Sequence, residues 1–104
     1  MKTGAELITE ERQRQIVEEE WTAEHDDEHS LGEMAVAAAC YAWPPPRPVD
    51  VKKAWPWDRR WWKPSPLPLG ATAGEKLDGR IRELVKAGAL IAAEIDRLSR
   101  TVKP

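Results

Sequence analysis

The chain has 104 residues and a formal net charge of −2, enough for one domain with a small core and too weakly charged to argue for duplex nucleic acid as a partner. Six tryptophans stand beside no phenylalanine and one cysteine, so an internal disulfide is excluded and much of the large apolar area lies in indole rings, whose N–H groups need partners when buried. No apolar run suits a membrane and no leader-like segment opens the chain; with the lone thiol this predicts a soluble, cytoplasmic protein.

The charge is sorted. Residues 1–34 carry 11 acids and 3 bases, and residues 35–104 carry 7 acids and 13 bases. Either the halves neutralise one another, within a monomer or across a homodimer, or the basic half faces an anionic ligand.

Taken in order, Thr3 to Glu6 has the spacing of a capping box, in which the two side chains each accept a backbone N–H. It predicts a first helix over about 4–20. Its apolar face is narrow (Leu7, Ile8, Ile16, Val17) and has Arg12 in its middle, an arginine expected to snorkel or to pair with an acid near Trp21. Residues 18–29 lack a helical or strand period and read as an ordered loop anchored by Trp21. Ser30 and Glu33 repeat the capping-box spacing and predict a second helix over 30–42, rich in alanine, with Asp26 and Asp27 just before its dipole's positive end. Cys40 falls in this alanine run and reads as a small buried side chain.

Prolines from Pro44 to Pro68 forbid a continuous helix, so residues 43–71 read as a long ordered segment with a short helical turn at Asp58–Trp62. Pro44–Pro48 reads as a rigid linker or as a ligand for a proline-reading domain. Thr72 and Glu75 form a third capping-box pattern before a helix over 73–101. Its period places Ile81, Leu84, Val85, Gly88, Ile91, Ala92, Ile95 and Leu98 on the expected core face. Arg80, Arg82, Lys86, Glu94, Arg97 and Arg100 fall on the expected solvent face, and Arg97, Arg100 and Lys103 complement its carboxyl end. Its small residues, Ala87 to Ala89 with Ala92 and Ala93, predict close antiparallel packing on the second helix. The fold expectation is therefore all-α: a single three-helix domain, residues 1–104, with a Pro/Trp-rich segment between helices 2 and 3.

Two clusters carry candidate chemistry. From Trp55 to Lys63, nine residues hold four tryptophans, Arg59, Arg60 and Lys63. Trp57, Trp61 and Trp62 suit stacking on a flat base, and the three cations suit phosphate; the competing reading makes the rings the domain's core. The second cluster is Trp21 with His25, Asp26, Asp27 and His29. Here His25, Asp27 and His29 are candidate metal ligands, against the reading that the acids cap a helix and the histidines bond to backbone or to Trp21. No catalytic nucleophile stands out and no cofactor is expected. Glu75 and Asp78 have one carboxylate spacing of a metal-dependent nucleotide pyrophosphatase, without the matching pair.

Nearly the whole chain resembles a group of small phage and prophage proteins. The residues that carry the likeness are Glu11–Ile16, Trp21–His29, Ala38–Ala42, Trp55–Pro64 and Leu84–Ile91. A second likeness joins Arg14, Trp21, Asp26, Asp27, Arg82, Leu84, Val85 and Gly88, whose order is similar to the ryanodine-receptor repeat, a small mostly helical module; Glu20 stands where that repeat has glycine. The resemblances imply a phage protein in a bacterial host cell and a link to nucleotide-derived signals. The functional expectation is a counter-defence protein that sequesters a cyclic-nucleotide or ADP-ribose-like signal without catalysis. The alternatives are an inhibitor of a host defence enzyme acting by protein–protein contact, and a metal-dependent nucleotide hydrolase.

Overall fold

The computed structural model describes residues 1–66 and 68–102, of which Val102 is described by its backbone alone. Lys103, expected among the cations at the last helix's end, lies outside the described residues. Among these the chain is all helical: α1 (Gly4–Glu18), α2 (Ala23–Asp27), α3 (Glu33–Ala42), α4 (Val49–Ala54), a 3-10 turn (Arg59–Trp61) and α5 (Ala73–Val102). The all-α expectation holds, but the count is five helices rather than three.

Both outer capping boxes form. Thr3 Oγ1 accepts the Glu6 N–H while Glu6 accepts the Thr3 N–H at 3.0 Å, and Thr72 and Glu75 do the same at the start of α5. The middle one does not form. Gly32 takes a left-handed φ of 81° and caps α3, so the helix starts at Glu33 rather than Ser30, and the Glu33 carboxylate accepts the Leu31 N–H instead. The expected loop at 18–29 contains α2, whose start is fixed by Thr22 accepting the His25 N–H. Five residues are too short to show a period. In the proline segment α4 starts after Pro48, with Asp50 in its first turn and Lys52 and Lys53 in its last, a charge order that suits the helix dipole.

α1 stops because Glu20 adopts φ 58°, which lets the Trp21 N–H return to the Gln15 carbonyl at 3.0 Å. A left-handed conformation costs a residue with a Cβ roughly 1 kcal/mol, and glycine escapes that cost. Glu20→Gly is therefore expected to raise stability by about 0.5–1 kcal/mol; chemical denaturation that shows a loss of this size instead would mean the Glu20 side chain contributes something the backbone does not.

The core forms where α3 meets α5. Met34, Ala37, Ala38 and Tyr41 pack against Ala87, Leu90 and Ala93. Arg80, early in α5, donates to the carbonyls of Tyr41, Ala42 and Trp43 at the end of α3, and Arg100, late in α5, reaches Ala23 and Asp27 of α2. The two helices therefore run antiparallel and close together, as their alanines predict. That closeness reverses the expected face of α5. Ala87 and Ala93 with the single large side chain of Leu90 fill the gap to α3, and Ile81, Leu84, Ile91, Ile95 and Leu98 point outward while Glu83, Glu94 and Arg97 are buried. α1 lies against another side of α5, where a Cβ placed on Gly88 would sit 2.5 Å from Ile8 Cδ1.

Among the described residues, no helix is long and apolar enough to cross a membrane.

Candidate functional site

Two contacts to Asp26 hold the site's frame. Arg12 of α1 reaches Asp26 of α2 at 2.8 Å, and Asp26 is fully buried. This is the acid near Trp21 that Arg12 calls for. Asp26 also bonds His25 Nδ1 at 3.1 Å, which sets the imidazole parallel to Trp21, 5.6 Å between ring centres and 3° between planes.

From there the rings run on without a break. His25 meets His29 edge-on at 5.0 Å, and His29 meets Trp57 at 5.1 Å. Trp57 meets Trp55 at 5.4 Å, Trp55 meets Trp62 at 4.9 Å, and Trp62 meets Tyr41 at 4.8 Å. The two clusters that stand apart in sequence thus touch through His29 and Trp57. Edge-to-face and offset pairs of this kind add about 0.5–1.5 kcal/mol each beyond the area they bury.

A cavity of about 440 Å³ opens along this chain of rings, within the size range of small-ligand pockets. Trp21, His25, His29, Trp55, Trp57 and Trp61 form its aromatic lining, and Tyr41 and Leu90 its apolar remainder. Charged groups enter from α1 (Glu11, Arg14) and the residue that caps its end (Glu19), from α5 (Lys86) and from the tryptophan stretch (Asp58, Lys63). Arg14 is already committed, donating to Glu11 at 2.8 Å and Glu19 at 3.0 Å. These hydrogen bonds, the one to Glu11 first, push its pKa further up. Burial pushes the Glu11 carboxyl up, but bonds and charge from Arg14 outweigh it and hold that group below the usual carboxylate range. Lys86 donates to the Lys63 carbonyl at 3.0 Å and lies over the Tyr41 ring; burial holds its ammonium below the usual lysine range. Lys63 lies over the Trp61 ring, 5.7 Å from its centre. The Trp57 indole N–H is buried and has no acceptor among the described residues.

Several expected site residues sit elsewhere. Trp62 packs into the core beneath Arg47 and against Tyr41. Trp61, its neighbour, is half exposed at the cavity, because consecutive residues at the end of a 3-10 turn point different ways. Arg59 and Arg60 lie outside the cavity and are exposed; Arg60 stays near the Trp61 ring and Asp58. Asp26 is a structural partner of Arg12, and Asp27 turns outward to Arg100 at 2.7 Å. The candidate metal ligands His25, Asp27 and His29 therefore do not converge, and no group of three such side chains does among the described residues. Of the expected residues, Trp21, His25, His29, Trp57, Trp61 and Lys63 come together at the cavity. Tyr41, Trp55 and Lys86 join them without having been singled out; only the tryptophan density around Trp55 pointed that way.

Comparison of the chain with protein-family models, with curated proteins and with solved structures found no match.

Proposed function

We propose that the aromatic cavity binds a nucleotide-derived ligand, a flat base carrying phosphate, without turning it over. The observation that carries this reading is the joint lining of one cavity by indole and imidazole rings and by the ammonium groups of Lys63 and Lys86. A base between rings gains roughly 1–3 kcal/mol from stacking whatever its identity, and lysines meet phosphate as point charges. The carboxylates from α1 and its cap and both imidazoles there are committed to structure, Glu11 and Glu19 to Arg14, His25 to Asp26, and His29 to Glu33, while the Trp57 indole N–H and the Gln15 Oε1 are left without partners among the described residues. That arrangement supports holding a ligand more than transforming it. In a phage protein, such binding would sequester a host signal such as a cyclic nucleotide or an ADP-ribose derivative.

The test is tryptophan-fluorescence titration and thermal shift with AMP, cyclic dinucleotides and ADP-ribose. Binding by at least one is expected, with Trp61→Ala and Lys63→Ala each weakening it by about 10-fold or more. Arg60→Ala, outside the cavity, should bind as the parent does. Equal loss in Arg60→Ala would move the site onto the outer face of the tryptophan stretch. Silence across the panel would remove the nucleotide reading and leave an inhibitor of a host protein in its place.

A further inference from the structure

α5 turns charge inward and apolar side chains outward. Glu83, Glu94 and Arg97 are buried, with Arg97 Nε donating to Glu94 at 2.7 Å. Leu77, Ile81, Leu84, Ile91, Ile95 and Leu98 are between 45% and 64% exposed. With Gly88 among them, these positions advance by alternating steps of four and three residues, the spacing of a coiled-coil seam. A lone amphipathic helix of a monomer does the reverse and hides this stripe.

The order of the stripe about Gly88 is nearly palindromic. A second α5 laid antiparallel along the stripe, centred at the level of Gly88, sets Leu77 opposite Leu98, Ile81 opposite Ile95, and Leu84 opposite Ile91, with Ile8 of α1 filling the space above Gly88 at the middle of the seam. Each layer pairs side chains of like volume. A two-fold interface sets each residue against the other's partner, and this stripe meets that arrangement with like side chains in every layer. The area agrees. Half-exposed leucines and isoleucines of this number offer about 500 Å² per protomer, so two copies bury roughly 1,000 Å² before flanking residues are counted, the lower end for a specific interface. An apolar patch of this size matches the largest that monomers carry, about 300–600 Å², and such patches often mark interaction sites.

We propose that this chain forms an antiparallel homodimer through the outward stripe of α5, with the two-fold axis near Gly88. Ile8, which covers Gly88, lies beside that axis. The interface is separate from the cavity, which α5 meets through Lys86 and Leu90 on its other side, so dimerisation and ligand binding stand or fall independently.

Sedimentation equilibrium should give twice the 11.8 kDa chain mass. Ile95→Lys and Leu77→Lys change exposed positions, so each should keep the parent's helical circular dichroism while weakening association roughly 100-fold or more, because each charge enters the seam twice. Under mild oxidation, a mixture of Leu84→Cys and Ile91→Cys chains should yield a mixed disulfide dimer that neither gives alone. A monomer at every concentration overturns the proposal, as does a dimer that survives both lysine variants. Cross-linking of Ile91→Cys with itself would overturn the antiparallel register.

Discussion

Asp26→Ala is expected to cost about 3–5 kcal/mol, the loss that follows when one member of a buried ion pair is removed. Asp26 is fully enclosed, and it is the partner of the Arg12 guanidinium, whose Nε and Nη1 already lack acceptors among the described residues. Without the carboxylate, Arg12 keeps its charge in a site from which water is largely excluded. His25 loses its Nδ1 partner as well, so the imidazole that lines the cavity beside Trp21 is released. A domain of this length holds only about 5–10 kcal/mol in total, and a fall of this size should lower Tm by about 15–30 °C. The paired change Arg12→Met with Asp26→Leu should recover most of the stability, since an apolar pair of similar volume carries no desolvation cost. Calorimetry of the three variants checks this. If Asp26→Ala melted within a few degrees of the parent, the burial of this pair would not matter to the fold. If the double variant were no better than the single, the pair would be stabilising in itself rather than costly to break.

How much of this was legible in sequence differs by element. The capping boxes at Thr3 and Thr72 mark helix starts because their signal is local: two side chains and two N–H groups within one turn. Arg12 on a narrow apolar face calls for an acid, and one was available after Trp21. The alanines of α3 and α5 announce close packing. The same alanines hid the orientation of α5. A period reports that a helix has an apolar face and is silent on which neighbour that face meets; here Ala87, Leu90 and Ala93 meet α3, and the leucine and isoleucine stripe faces outward. α2 and α4 were not visible as helices because five or six residues complete too few turns to show a period; α2 starts at the Thr22 side-chain cap, and α4 starts after Pro48, which makes no side-chain cap. The cavity was half legible. Both aromatic clusters were conspicuous, but Glu11, Arg14 and Lys86 reach it from helices whose approach depends on Ile8 seating at Gly88, a contact 80 residues apart in the chain.

Glu83→Ala should come close to the Asp26 effect, about 3–4 kcal/mol, by a different route. Glu83 is 2% exposed and gathers three donors. Arg47 meets it at 3.1 Å, Arg80 at 3.3 Å, and the Ser65 N–H donates to it at 2.9 Å. Arg47 and Arg80 are the caps of α3: Arg47 donates to the Cys40 and Tyr41 carbonyls, and Arg80 to those of Tyr41, Ala42 and Trp43. A helix that runs into Trp43 and Pro44 cannot close with a left-handed glycine, so its last carbonyls depend on these guanidinium groups. Glu83 neutralises both and also pins the chain at Ser65, just beyond the tryptophan stretch. Beside it, the Lys63 N–H donates to the Tyr41 hydroxyl and its carbonyl accepts from Lys86. Removing Glu83 therefore frays the end of α3 and loosens the wall that carries Trp61 and Lys63. Glu83→Gln keeps an acceptor for Ser65 but not the charge, and should lose about half as much. Hydrogen exchange read at the Ser65 and Lys63 amides separates the two effects: in Glu83→Ala both should exchange far faster than in the parent, and in Glu83→Gln the Ser65 amide should stay the more protected. Unchanged protection at Ser65 in Glu83→Ala would show that the segment is held by the tryptophans alone, and that the carboxylate serves only the end of α3.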